Sequence, residues 1–175
     1  MQALVFDKSP LTLGEFISIN WKYLRKTRKS WLIIPVFLLL AFSVNSCNIL
    51  VGTRGYENHK ISDALLPLCF YFLFFGFMYY SFIKSFKKNY FNNPALAEGL
   101  TYTLSDELIT VHGSLLNGTQ PWSVSFKEAV KIDKWILLSS SGSTAYFLAI
   151  EKLVAPATIS DVKDLFQRKG VKMKH

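Results

Sequence analysis

Two long uncharged stretches, set apart by a short polar link, constrain this chain more than any other feature. The first runs Trp31 to Thr53, 23 residues without Asp, Glu, Lys, Arg or His, and the second runs Ala64 to Ile83, 20 residues of the same kind. A helix rises about 1.5 Å per residue and the hydrocarbon layer is about 30 Å thick, so roughly 20 apolar residues cross it. Helices of this length that pack inside a soluble domain carry a polar stripe for their wet side. Neither stretch has one, and the second is aromatic all round, with Phe70, Tyr71, Phe72, Phe74, Phe75, Phe77, Tyr79, Tyr80 and Phe82. The expectation is an α-helical membrane hairpin, with transmembrane helices over 31–53 and 64–86 joined by an external link at 54–63.

The charge is distributed to match. Residues 1–30 carry six Lys/Arg against two carboxylates, the link 54–63 balances two against two, and 101–175 carry nine against seven, within a total of +8. The excess flanks the spans: Lys22, Arg25, Lys26, Arg28 and Lys29 before the first, Lys84, Lys87 and Lys88 behind the second. Short loops rich in Lys and Arg stay cytoplasmic. Both termini are therefore expected on the cytoplasmic side of the cell (inner) membrane, in a multi-pass arrangement. These eight side chains are the candidate contacts to anionic lipid headgroups, a better fit to this layout than nucleic acid, for which no basic face of a soluble domain is left. Trp31, Tyr79 and Tyr80 suit an interfacial aromatic belt.

Ahead of the hairpin, Ala3–Phe6 reads as a short β run that could add an edge strand to a sheet formed by the other end of the chain. Thr12 and Glu15 have capping-box spacing. The helix they open, carrying Phe16, Ile19, Tyr23 and Leu24 on one side, is an amphipathic juxtamembrane segment suited to lying on the inner surface or packing on its own domain. No cleavable signal peptide is expected, since the first apolar run starts at Trp31 and is too long for one. Inside the first span, Ser43, Asn45, Ser46 and Asn48 are the candidate helix–helix or partner contacts, because polar groups at that depth usually bond a neighbouring helix. Pro35 and Pro67 fall near helix starts, where they need not kink. Cys47 and Cys69 lie within the spans and are expected to behave as buried small apolar side chains, without a disulfide.

Past a linker at 87–100 containing Pro94, the pattern changes. Tyr102/Leu104, Ile109/Val111, Trp122/Val124/Phe126 and Val130/Ile132 alternate; Ile136–Leu138 and Tyr146–Ile150 follow. Turn signals separate them at Ser105-Asp106-Glu107, Asn117-Gly118 and 139–143. Five or six antiparallel strands are expected. A closing helix is capped by Thr158 and Asp161, buries Ile159, Val162, Leu165 and Phe166, and stops at Gly170. The fold class is thus a membrane helical hairpin plus a small α+β cytoplasmic domain over 101–175, pleckstrin-homology-like by analogy of sheet and closing helix.

This order of parts resembles the YcxB-like family of small bacterial membrane proteins, which have a short lead-in, two spans and a C-terminal β-rich domain. The resemblance lies in Thr12-Leu13-Gly14-Glu15-Phe16, in Tyr102 to Ile109, in Trp122, and in Phe147 to Lys152 before the last helix. Two places depart from it: Trp122 is followed by Ser-Val-Ser-Phe, and Ile150-Glu151-Lys152 lacks the family's proline. The resemblance implies a layout and no activity.

Groupings that carry chemistry are missing. His59, His112 and His175 are divided between the external link, a strand and the far end of the chain, so they do not form one metal site. Gly113-Ser114 lacks the G-x-S-x-G spacing of a nucleophile elbow, and no phosphate-cradling glycine loop occurs. Ser139–Ser143 is a polar hairpin tip, and Asp106-Glu107 fits a turn better than a paired acid and base. The chain is expected to be non-catalytic, without cofactor or metal. The leading reading is a membrane-anchored cytoplasmic binding or regulatory module with a protein partner. An immunity protein that blocks a membrane-active toxin through the Asn/Ser face is the alternative, and a channel or transporter subunit the weaker one, since two spans line a pore only as a homo-oligomer. The absence of Asp, Glu, Lys or His at mid-membrane argues against coupled transport.

Overall fold

The computed structural model describes residues 3–27, 30–51, 61–122, 126–140 and 145–174, and it divides into two units, 20–88 and the remainder. The link 54–60 with His59, the basic pair Arg28 and Lys29, Val124 and His175 lie outside the described residues. The elements in order are β1 (Leu4–Ser9), α1 (Leu13–Thr27), α2 (Ser30–Val51), α3 (Ile61–Phe91), α4 (Pro94–Glu98), β2 (Leu100–Leu104), β3 (Leu108–His112), β4 (Asn117–Pro121), β5 (Phe126–Ile132), β6 (Trp135–Ser140), β7 (Ala145–Ala149), a 3-10 turn (Ile150–Lys152), α5 (Ile159–Arg168) and β8 (Lys172–Lys174).

The unit made of both chain ends is an α+β fold. One sheet has the order β1-β2-β3-β4 and the other β7-β6-β5-β8. All neighbours are antiparallel except β5 and β8. Alternation places Leu4 and Phe6 of β1, Leu100, Tyr102 and Leu104 of β2, and Ile109 and Val111 of β3 on one buried face. These meet Ala129, Ile136, Leu138 and Leu148 of the second sheet in a single core. Helix α5 closes that core with Val162, Leu165 and Phe166, spaced three and four apart on one stripe. Each such side chain contributes about 1.5–3 kcal/mol when fully buried. Thr158 and Asp161 form the expected capping box at the start of α5.

The second sheet is buried on its other face too. Val130, Leu137 and Phe147 stand opposite one another across β5, β6 and β7, and all three are buried. The Phe16 ring of α1 lies 5.6 Å from that of Phe147 and 5.7 Å from that of Tyr90. The Phe16 and Ile19 side of the amphipathic helix is therefore covered by protein and not offered to a lipid surface. Both readings of that helix rested on the same apolar stripe, which cannot say what covers it.

The β run at the start of the chain is the edge strand of the first sheet: Leu4, Val5 and Phe6 pair with Leu104, Thr103 and Tyr102, and Ser9 with Leu100 after a bulge. Everything from α1 to α4 is thus inserted between two adjacent antiparallel strands. The two ends of the insertion are tied together. Leu11 N–H donates to the Leu96 carbonyl at 2.9 Å and Tyr90 Oη–H to the Leu11 carbonyl at 2.7 Å. Gly99 has φ 86°, and a Cβ there would lie 2.6 Å from the Pro10 nitrogen, so only glycine fits.

Several boundaries differ from expectation. Helix α3 runs on to Phe91, so the first part of the linker is helical, because nothing between Lys84 and Asn92 breaks a helix; Pro94 instead opens α4. The turn between β3 and β4 is Gly113–Leu116, and Asn117 begins β4. Its side-chain oxygen lies 3.0 Å from His112 Nδ1 and accepts from Gly113 N–H at 3.4 Å, closing the loop from the strand side. Strand β8 has no counterpart among the five or six expected: three residues are too few for an alternation to register, and pairing with Glu128–Val130 makes the strand.

In the unit 20–88, Tyr71 Oη–H of α3 donates to the Pro35 carbonyl of α2 at 3.0 Å, and the Tyr71 and Phe42 rings meet edge-on at 6.2 Å. Among the described residues α3 is the helix long and apolar enough to cross a membrane, over Leu65–Phe91; α2 contributes Pro35–Val51 as a shorter apolar helix. Cys47 and Cys69 are free and lie on the exposed surfaces of α2 and α3. Their neighbours Phe70 and Leu50 are exposed as well, as are Phe37, Leu73 and Phe77 at 70, 70 and 69 %.

Replacing Gly99 with Ala is expected to cost about 1–3 kcal/mol, the usual toll of strained backbone with a close contact. Phe166→Ala should cost about 3–5 kcal/mol. Both are read as lowered midpoints in denaturant or thermal unfolding of the detergent-solubilised chain, and an unchanged midpoint for Phe166→Ala would contradict the placement of α5.

Candidate functional site

The cations singled out in the sequence fall on α1 and α3. Lys22, Arg25 and Lys26 are exposed on the last two turns of α1, and Lys84, Lys87 and Lys88 are exposed on the latter part of α3. What joins the two sets is Trp21. Its indole stacks on the Tyr79 ring at 5.5 Å and 15°, and it meets Phe82 at 6.1 Å and Phe86 edge-on at 6.2 Å. Tyr79, Phe82 and Phe86 are three and four residues apart and so form one stripe along α3. An aromatic pair of this kind adds about 0.5–1.5 kcal/mol beyond the area it buries. The stack holds the last turns of α1 alongside α3, so two helices whose cations lie some sixty residues apart in sequence run side by side. No Asp or Glu occurs between positions 16 and 56 or between 64 and 97, so the charge is not diluted locally.

Sequence reasoning missed Trp21. The available signal was a tryptophan directly before Lys22, one turn ahead of Arg25, facing a 79/82/86 aromatic stripe at helical spacing. Trp31 was chosen instead, and its side chain lies outside the described set. Of the candidate polar contacts, Ser46 is buried at 3 % exposure, and Ser43, Asn45 and Asn48 are half-buried on the same helix. Asn45, Ser46 and Asn48 each have an interaction partner.

The β-rich unit offers polar clusters that serve its own structure. Asp106 pairs with Arg168 at 3.4 Å and Lys169 at 3.6 Å beside Trp122, whose Nε1–H donates to the Ser105 carbonyl at 2.8 Å. The Ser105 hydroxyl accepts from the Leu108 amide at 3.0 Å, so this corner is a braced turn. Ser114 donates to Glu98. An open cleft of about 310 Å³ runs between Ala3–Val5 and Val154–Ala157, with Asp161 at its side. Asp161 already serves the α5 cap, accepting from Thr158 N–H and Oγ1–H, both at 2.7 Å. No cluster of three or more His, Cys, Asp or Glu suited to a metal occurs among the described residues.

Two structural carboxylates are shifted. Burial pushes Glu15 upward, but hydrogen bonds from Thr12 and the Lys134 ammonium 3.1 Å away outweigh it and hold the carboxyl below its ordinary 4.5. The Thr158 hydroxyl and amide hold Asp161 below its ordinary 3.8. Burial pushes the Tyr102 phenol well above its ordinary 10.0, against the hydrogen bond from the Phe147 amide.

Comparison of the chain with protein-family models, with curated proteins and with solved structures gives no match.

The shifts set a pH profile. A depressed carboxylate stabilises above its unfolded pKa and loses that contribution as pH falls through the folded value; a phenol held neutral stabilises fully below its unfolded pKa and loses it as pH rises. The thermal midpoint is expected to fall below about pH 4.5 and again above about pH 10. Glu15→Gln should flatten the acid limb and Tyr102→Phe the alkaline limb. Unchanged limbs in a pH series of melts of these two variants would refute the assignments.

Proposed function

We propose that this protein is a two-span membrane protein of the YcxB-like layout. In this reading both ends lie on the cytoplasmic side, and the hairpin anchors a non-catalytic binding or regulatory domain at the inner leaflet. One observation carries the reading. β1 precedes the helical insertion, β2 follows it, and the two are hydrogen-bonded neighbours in one sheet. A sheet folds on one side of a bilayer, because unpaired strand groups and loops do not reside in hydrocarbon. The insertion must therefore cross an even number of times. With α3 apolar and long enough to cross, α2 is its return partner, and the exposed apolar side chains on both helices face lipid. The flanking cations favour the cytoplasmic side for the domain.

The domain itself supports a binding role. Its order, four antiparallel strands, then three more, then a helix, resembles by analogy that of pleckstrin-homology-type binding modules, from which β8 after the helix departs. Every polar cluster described above is engaged in a turn, a cap or an ion pair. The immunity reading drew on the Asn/Ser face of α2. That face has Ser46 buried and Asn45 and Asn48 already engaged, which leaves less of it for a toxin.

Dual topology reporters fused before Ala3 and after Lys174 should both report the cytoplasm, and the chain should stay in the pellet when membranes are washed with alkaline carbonate. Opposite signals from the two ends, or release of the chain by the wash, would overturn the two-span reading.

A further inference from the structure

We propose that the α1–α3 neck is a binding surface for anionic phospholipid headgroups, and that Trp21 is its positioning residue. This rests on the two-span reading and adds a ligand to it. The carrying observation is a juxtaposition absent from the linear sequence: the Trp21 stack on Tyr79, Phe82 and Phe86 fixes the last turns of α1 beside α3. Lys22, Arg25 and Lys26 on α1 and Lys84, Lys87 and Lys88 on α3, all exposed, are then carried by two helices held side by side.

The arrangement of these cations identifies the ligand. On α3 the residues at 84, 87 and 88 project to the side away from the 79/82/86 stripe, at 100° per residue. The cations therefore ring the neck and do not converge on a pocket. A ring suits many separate monoanionic phosphates, not one multivalent solute. Exposed Tyr79 and Tyr80 sit one turn before Lys84, and exposed Phe77, Phe74 and Leu73 continue from them. Charge, then amphipathic rings, then hydrocarbon-like surface is the sequence of layers met on entering a bilayer. A nucleic acid would match the charge but leave the adjoining aromatic and apolar surface unmatched.

Recognition by charge alone has readable consequences. Each exposed cation near an anionic surface is worth about fivefold in affinity at moderate salt. The effect should fade as the screening length shrinks from about 8 Å toward 3 Å. It should also be indifferent to which anionic headgroup is present. Trp21 contributes through placement: without the ring, the last turns of α1, which carry its three cations, lose their aromatic contacts with α3.

The test reconstitutes the full chain in nanodiscs of equal parts phosphatidylcholine and phosphatidylglycerol, extracts it in mild detergent and weighs the lipids that remain bound. Wild type should retain the anionic lipid at least about threefold over the neutral one, and cardiolipin should substitute for it. The triple variant Lys84→Gln, Lys87→Gln, Lys88→Gln should lower that ratio several-fold, leaving the share of the three α1 cations, and an unchanged ratio overturns the proposal. Trp21→Ala should lower the ratio and Trp21→Phe restore it, a rescue that a general loss of folding would not show. A bulk ratio for wild type overturns the proposal, and so does displacement of the lipid by inorganic phosphate or by duplex DNA. Failure of the chain to enter nanodiscs at all is a different result, and counts against the two-span reading itself.

Discussion

The hydrogen-bonded ladder between Leu4–Phe6 and Tyr102–Leu104 is the constraint on which the rest of the structure depends. It joins segments almost a hundred residues apart and encloses the whole helical insertion. Closing a loop of that length is entropically costly, though the cost grows only slowly with length. The return is a core: Leu4 and Phe6, the latter fully buried, complete the inner face of the first sheet. The insertion ends are then fixed by short contacts, Leu11 to Leu96, Tyr90 to Leu11, and Gly99 against Pro10. In the two-span reading proposed above, the even number of crossings rests on this pairing and not on hydropathy.

Helix α1 shows how one amphipathic segment takes on two tasks. Its first turns carry Phe16 and Ile19, which cover the outer face of the second sheet, and its cap residue Glu15 pairs with Lys134 at the β5–β6 turn. Its last turns carry Trp21 and three cations. A single helix thus has one end packed in the β-rich unit and the other in the helical unit. This division is a consequence of chain order, since α1 has to lead from β1 to the hairpin. The same residues that would float a helix on a membrane are the ones a sheet needs to bury, so the apolar stripe suits either surface.

The polar inventory of the β-rich unit argues in the same direction. Asp106 with Arg168 and Lys169, Ser105 with Trp122, Thr158 with Asp161 and Asn117 with His112 each fasten a turn or a helix end. Groups committed in this way are unavailable as acids, bases or ligands without cost, because breaking the pair leaves a polar atom short of a partner. A domain built so spends its polar pairs on its own turns and helix ends.

Periodicity in the sequence determined the element types: the alternation at 102–111, the capping boxes at Thr12 and Thr158, and the stripe Val162, Leu165, Phe166 are local patterns with one physical reading each. The apolar, uncharged run at 64–83 likewise determined a helix long and apolar enough to cross a membrane. Tertiary structure alone decided what pairs with what. That β1 closes onto β2, that Lys172–Lys174 becomes a strand against β5, that α1 covers Phe147, and that Trp21 unites two sets of cations all depend on contacts between residues far apart in sequence. A local pattern records which side of an element is apolar or charged. It holds no record of the partner, because the free energy that selects the partner arises only when both surfaces are present.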